Sequence, residues 1–407
     1  MGGNAFKVHL PNASFQRMSP RVYYTLKAAL KTRLLKCYDV VETPAEAPEK
    51  PDHGDIDFLV AYPRPGLTDN TLQEQMKSRY SIMQPGFRTS NFAIPLHAFL
   101  PELLHADAKG APSNAPETEE YCQADVHVCP DKDTLDRLLF VQSYGDMMQI
   151  LGIMARGIGL SFGQNGLKLA DPLPTSPPMT FYLSISLSHI LDFYGLNIDR
   201  WRQGFNTQRE LFNWVISSRL FDAHRIMQYS DAQTSKAKLL KDRMIYQNFI
   251  IYIKEQLEAG AAAGLNIGVE DALRFFGKEV EYNAVLENDR ARRRAKELLN
   301  GVMLQELTGL KGMPVKLLSD GIKQRLEEAW SCENVTTYES QEAVQGYSAP
   351  LLWEIAVAEK SEEEVRAMVL RVKEEMQAAG QLDFDWKAAK ARKEQRKMEV
   401  DHNVGAI

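Results

Sequence analysis

The stretch His53-Gly54-Asp55-Ile56-Asp57-Phe58-Leu59-Val60 sets two carboxylates two residues apart and then runs straight into apolar residues. Alternate residues of a strand share a face. The pattern therefore predicts a strand in which Asp55 and Asp57 point together while Ile56 enters a core. Gly54 is expected to let the backbone turn sharply into that strand. Neighbouring carboxylates repel one another unless a cation sits between them, and hard oxygen donors suit Mg²⁺ or Mn²⁺. A second alternating stretch, Gln123-Ala124-Asp125-Val126-His127-Val128-Cys129-Pro130, offers a third carboxylate, Asp125. Three carboxylates on one sheet edge can hold two metal ions, activating an attacking oxygen and steadying a leaving phosphate. The same Asp-x-Asp spacing also occurs in solvated turns and Ca²⁺ loops. The apolar run after it and the Asp125 strand set this example apart.

The rest of the chain bounds what such a site belongs to. At 407 residues the chain suits two or three domains, and its 44% hydrophobic content supports a substantial core. A net charge of −6 excludes a global nucleic-acid signature and leaves only local patches. Cys37, Cys122, Cys129 and Cys332 are too few for a disulfide framework and fit a reducing compartment, cytoplasmic or nuclear. Their spacing around His127 matches no zinc pattern, so they read as small buried residues. No signal peptide is evident, and no apolar run is long enough to span a membrane.

Ser19-Pro20 marks a helix start, and Tyr23, Leu26, Leu30 and Leu34 follow at helical spacing. Tyr38 to Glu42 reads as a strand and Thr43 to Asp52 as a loop. A helix over Thr71–Tyr80, a strand within Phe87–Leu100 and an exposed insertion at Ala108–Glu120 are expected before the Asp125 strand. A helical segment over Asp133–Arg156 breaks at Ser143-Tyr144-Gly145-Asp146, and Gly163-Gln164-Asn165-Gly166 signals an Asn-Gly hairpin. From about Ile185 the pattern is helical, with a capping box predicted at Thr207-Gln208-Arg209-Glu210.

Gly54-Asp55-Ile56-Asp57 with its apolar run, then Ala124-Asp125-Val126-His127-Val128, resembles the DNA polymerase beta-type nucleotidyltransferase superfamily. Gln142 to Asp146, Ala155 to Leu160 and the Asn165-Gly166-Leu167 hairpin are similar to the order seen in family X polymerases. The likeness covers roughly residues 20–220. It implies a mixed-sheet nucleotidyltransferase core over 1–225, and the helical pattern of the remainder adds an all-helical domain over 226–407 with a charged tail, an α+β fold in all. It also implies that Asp55, Asp57 and Asp125 bind Mg²⁺ (or Mn²⁺) and that an acceptor hydroxyl attacks the α-phosphate of an NTP, releasing pyrophosphate. Gly54, Ser143, Gly145 and Arg156 become candidates for nucleotide contacts, and a nucleic-acid 3′ end becomes a candidate acceptor. One departure stands out. The Gly-Ser or Gly-Gly pair of the superfamily falls here on Val40-Val41-Glu42-Thr43-Pro44, with Gly2-Gly3 as the nearest substitute.

Two basic clusters are candidate phosphate-backbone contacts: Arg290, Arg292, Arg293, Arg294 and Lys296, and the run from Lys387 to Lys397. For the first a solvated helix face is the more frequent explanation, and for the second a plain charged tail is slightly favoured. Two further readings compete with catalysis by this site: a silent relative that binds nucleotide or nucleic acid, and a glycosyltransferase using Asp-x-Asp. The latter lacks the repeated strand–helix units it requires.

Overall fold

A computed structural model of the protein describes residues 4–11, 13–99, 120–232, 240, 243–260, 264–333 and 349–384, with side chains omitted for 330–333. The Gly2-Gly3 pair, the insertion at 108–119, Cys332 and the basic run at 387–397 lie outside the described residues or side chains. The fold is α+β, and the chain separates into two compact units. One comprises residues 1–171 and 180–277, the other 172–179 and 278–407. The divide thus falls about fifty residues beyond the expected 225, because the helices that follow that point pack in the first unit.

In the first unit, α1 (Pro20–Leu34) opens as its sequence dictates. The Ser19 side chain caps the Val22 N–H, and Pro20 takes the first turn, where its missing N–H costs nothing. Its stripe of Tyr23, Leu26, Leu30 and Leu34 is buried. The main sheet comprises β1 (Ser14–Phe15), β2 (Tyr38–Glu42), β3 (Asp55–Pro63), β4 (Tyr80–Ile82), β5 (Thr89–Pro95) and β6 (Glu120–Val128), in the order β2-β3-β6-β5-β4. It is mixed: β3 and β6 run parallel, whereas β2–β3, β4–β5 and β5–β6 are antiparallel. The short β1, absent from the sequence reading, pairs parallel with the start of β6. The expected helix at 71–80 forms earlier, as α2 (Asp69–Gln75), because the Thr68 side chain caps Thr71 N–H and Tyr80 already belongs to β4.

The two faces of the sheet differ. Ile56, Phe58 and Val60 pack with Ala124, Val126, Phe92 and Ile94 against the α1 stripe. Burial of each large side chain there contributes about 1.5–3 kcal/mol. A slip of one residue would drive the aspartates into this core, so burial fixes their orientation. The opposite face is covered in patches. Leu59, Ala61 and Cys129 meet Leu135 and Leu138 of α3 (Lys132–Gln142), and Ala93 and Tyr121 pack beneath Phe6 from the N-terminal segment.

After α3 come α4 (Met147–Gly157) and a three-stranded sheet, β7 (Leu160–Gly163), β8 (Gly166–Leu169) and β9 (Tyr182–Ser184). The hairpin forms, but its central residues are Gln164 and Asn165, with Gly163 paired to Gly166. Gly166 adopts φ +104°, and a Cβ there would lie 2.3 Å from the Ser184 carbonyl oxygen, so glycine is required. Among the described residues, the helices that complete the unit are α5 (Leu187–Tyr194), α6 (Ile198–Gln203), α7 (Gln208–Ile216), α8 (Ala223–Asp231), α9 (Met244–Glu258) and α10 (Val269–Phe275). The capping box at α7 is half made. Thr207 accepts from Glu210 N–H, but the Glu210 carboxylate reaches Asn206 N–H instead of closing on Thr207.

The second unit is helical: α11 (Glu279–Leu298), α12 (Gly301–Thr308), α13 (Met313–Glu333), α14 (Leu352–Ala358) and α15 (Glu362–Ala378). Its core joins Leu304, Leu318, Ile322, Val357, Val365 and Val369. The basic run of α11 is largely consumed inside this unit. Arg292 lies 3.5 Å from the buried Glu354, Arg293 pairs with Asp289 and the Pro174 carbonyl, and Arg294 donates to the Ala358 and Lys360 carbonyls. These guanidinium groups tie helices together, which corrects their reading as an open phosphate-binding face.

Candidate functional site

The parallel pairing of β3 and β6 places Asp55 opposite Gln123 and Asp57 opposite Asp125. Directly opposed residues share a face, so all three aspartates lie on the same side of the sheet, away from the α1 core. They occupy the gap between the α3 contact and the patch beneath Phe6. On the far side of β6, Asn91 of β5 stands opposite Asp125. Asn91 Nδ2 donates to Asp125 Oδ1 at 2.8 Å, and Gln123 Nε2 donates to both carboxylate oxygens at 2.9 and 3.0 Å. Asp125 is thus oriented by two neutral amides. Asn91 was not evident from the sequence, since only the β5–β6 register makes it a neighbour.

The electrostatics follow from this crowding. Asp57 keeps contact with solvent, yet protein surrounds it closely. Burial, and then repulsion from Asp55, Asp125 and Glu46, pushes its carboxyl up to about 7. Burial also raises Asp125, against the opposing pull of the Asn91 and Gln123 hydrogen bonds. A cation would relieve this repulsion, and the donors are the hard oxygens that Mg²⁺ or Mn²⁺ takes. The set fits such an ion in kind but not in closure: among the described residues, no group of three His, Cys, Asp or Glu side chains meets closely enough to hold a metal.

His127 lies one rung further along the same face, opposite Leu59. Its Nδ1 is 3.0 Å from Thr89 Oγ1, and burial lowers its basicity. Gly54 is buried and lies at a bend just before β3, but it does not take the left-handed backbone conformation that favours glycine. The entry to β3 is instead fixed by the two backbone hydrogen bonds between Met18 and His53.

The remaining candidates have other tasks. Ser143 is fully buried; its hydroxyl donates to Leu139 O at 2.6 Å and accepts from Ala45 N–H at 3.0 Å. Tyr144 N–H donates to the Ala45 carbonyl at 2.7 Å. Gly145, at φ +62°, lets the chain pass Ile245 and Ala47, where a Cβ would approach to 2.8 and 3.3 Å. Asp146 completes the joint, accepting from Arg243 at 2.7 Å and from Tyr246 N–H at 3.3 Å. Residues 143–146 therefore clamp the loop over residues 43–53, and Ser143 and Gly145 both take part in that clamp. Arg156 ends α4, donates to the Ala170 carbonyl and borders a separate cavity of about 100 Å³ with Leu220, Arg225 and Tyr229.

No family model matches the chain, and no curated protein is similar to it. Among solved structures it is similar to polymerase beta of Leishmania infantum, described in a ternary gap complex. That likeness has 11% identity and a TM-score of 0.26, over 49% of this chain and 67% of that one. A similarity this loose carries no argument about activity. Among the described residues, no helix is long and apolar enough to cross a membrane.

Proposed function

We propose that this protein is a divalent-metal-dependent nucleotidyltransferase that moves a nucleoside monophosphate from an NTP to an acceptor hydroxyl, a nucleic-acid 3′ end being the acceptor class. One observation carries the reading. Parallel pairing sets Asp57 against Asp125, with Asp55 two residues earlier on the same face. In the reaction the acceptor oxygen bonds to the α-phosphorus, the bond to the bridging oxygen breaks, and pyrophosphate leaves with that oxygen. Asp55, Asp57 and Asp125 are the residues that would hold Mg²⁺ or Mn²⁺. The ion would supply charge neutralisation for the phosphates and a lowered pKa for the attacking hydroxyl. Asn91 and Gln123 fix the Asp125 carboxylate, so that the oxygen nearest the acceptor can receive its proton. With a folded-state value of about 7, Asp57 changes its charge near neutral pH.

A second reading has its own support. The three carboxylates do not close on a common point, and the Gly pair of the resembled superfamily is missing. Both features suit a silent module that binds nucleotide. The experiment is incubation with each labelled NTP, Mg²⁺ or Mn²⁺ and a mixed RNA pool, beside the Asp55→Ala/Asp57→Ala protein. Label transferred by the wild type alone supports the enzyme. Equal labelling by both proteins removes it. Thermal stabilisation by an NTP without turnover favours the silent module.

A further inference from the structure

Beside Asp57 lies a cluster that the aspartate chemistry does not use. The carboxylate of Glu46, in the loop leading to β3, accepts from the Tyr23 hydroxyl on one oxygen and from Lys50 Nζ at 2.6 Å on the other. His53 Nδ1 comes within 3.3 Å of the same second oxygen, but off the line of a hydrogen bond, and remains buried without a partner. The His53 ring is 1% exposed and stacks on Tyr23 with centroids 3.8 Å apart. Lys27 Nζ stands 5.3 Å from the Tyr23 ring centre and donates to the Pro44 carbonyl at 3.3 Å.

The Tyr23 phenol and the Lys50 ammonium hold this oxyanion, and the His53 imidazole and Lys27 ammonium stand beside it, which makes an anion-binding set. The loop does not need the Glu46 carboxylate as a strut. It is anchored independently by Ser143 and Tyr144 at Ala45, by Arg17 at Asp52, by the Met18–His53 pairing and by Gln208 at the Pro48 carbonyl. The cluster also lies within electrostatic reach of the catalytic candidates, since Asp57 acts on Tyr23 and Lys27 and is itself acted on by Glu46. It follows directly on Val40 to Pro44, the segment without the Gly pair.

We propose that Tyr23, Lys27, Lys50 and His53 form the triphosphate cradle of this protein, and that Glu46 is a built-in competing anion that must leave before a nucleotide's phosphates can enter. The identity of the anion rests on the nucleotidyl-transfer reading; the existence of the cradle does not. Removal of the Glu46 charge frees the Tyr23 hydroxyl and the Lys50 ammonium, with Lys27 and His53 alongside, so affinity for a polyphosphate rises even without metal. The loop thereby suppresses binding of free nucleotide until Glu46 is drawn away.

The test is calorimetric titration with inorganic triphosphate in chelator, at fixed ionic strength, for the wild type, Glu46→Gln and Glu46→Gln/Lys50→Ala. Glu46→Gln is expected to bind at least tenfold more tightly than the wild type, and Lys50→Ala to cancel the gain. ATP, GTP, CTP or UTP should then displace the triphosphate. A Glu46→Gln protein that melts like the wild type yet binds no more tightly overturns the proposal. Sulfate binding as tightly as triphosphate, or failure of every nucleotide to compete, overturns the triphosphate assignment. Because no turnover is read, these outcomes are separate from loss of the transfer activity itself.

Discussion

The raised carboxyl of Asp57 predicts that the wild-type chain sacrifices stability at this position. Asp57 titrates at about 7 in the folded protein and at about 4 in an unfolded chain. The native state therefore holds the extra proton between these values, and stability falls as pH rises through that window. About three units at 1.36 kcal/mol each set a ceiling of about 4 kcal/mol. Asp57 reaches solvent, and screening reduces that ceiling to about 1 kcal/mol. Asp57→Asn keeps the shape and removes the charge, so at pH 8 in chelator the variant should melt roughly 2–4 °C higher than the wild type. The advantage should shrink to about a third at pH 5 and about a tenth at pH 4, and vanish below about pH 3, where the wild-type carboxyl is protonated in both states. Saturating Mg²⁺ should then stabilise the wild type more than the variant. The assay is thermal unfolding followed by circular dichroism across this pH series. An Asp57→Asn protein no more stable than the wild type at pH 8, or equally advantaged at pH 5 and pH 8, refutes the reasoning.

Three further outcomes follow from contacts described above. Gly145→Ala should destabilise the first unit by about 1–3 kcal/mol, through its left-handed backbone and the clash with Ile245; an unchanged denaturation midpoint counts against the clamp. Arg292→Ala leaves Glu354 buried without its guanidinium and should cost about 3–5 kcal/mol in chemical denaturation. The same variant should leave the salt dependence of RNA binding unaltered, and a reduced salt slope restores α11 as a phosphate contact. Asn91→Ala deprives Asp125 of an amide donor, so its carboxyl resonance in ¹³C-NMR titration should move to higher pH; a downward move contradicts the assigned geometry.

What the sequence disclosed, and what it hid, has a physical division. Alternation told the two faces of β3 and β6 apart, because Ile56, Phe58 and Val60 must be buried together and the aspartates then have one side left. The α1 cap and the break at 143–146 were legible because Ser19-Pro20 and Tyr144-Gly145 act locally. Pairing partners were not. Asn91 reaches Asp125 across a register that no local pattern encodes, and the N-terminal strand is two residues long. Ser143 and Gly145 were singled out only by the resemblance, and their long-range contacts with Ala45 and Ile245 are spelled by no local pattern. The arginines of α11 misled for the same reason, since a basic helix face and a set of interhelical struts are spelled alike.

The 143–146 joint makes the acid-bearing strand dependent on residues a hundred positions downstream. Arg243 and Ile245 brace the turn that holds Ala45, and with it the approach to Asp55. A shortened chain ending near 225 would keep Asp55, Asp57 and Asp125 and lose their scaffolding. Such a fragment should express as a loosened protein whose inactivity says nothing about its chemistry, whereas one carried through Gly277 retains the brace.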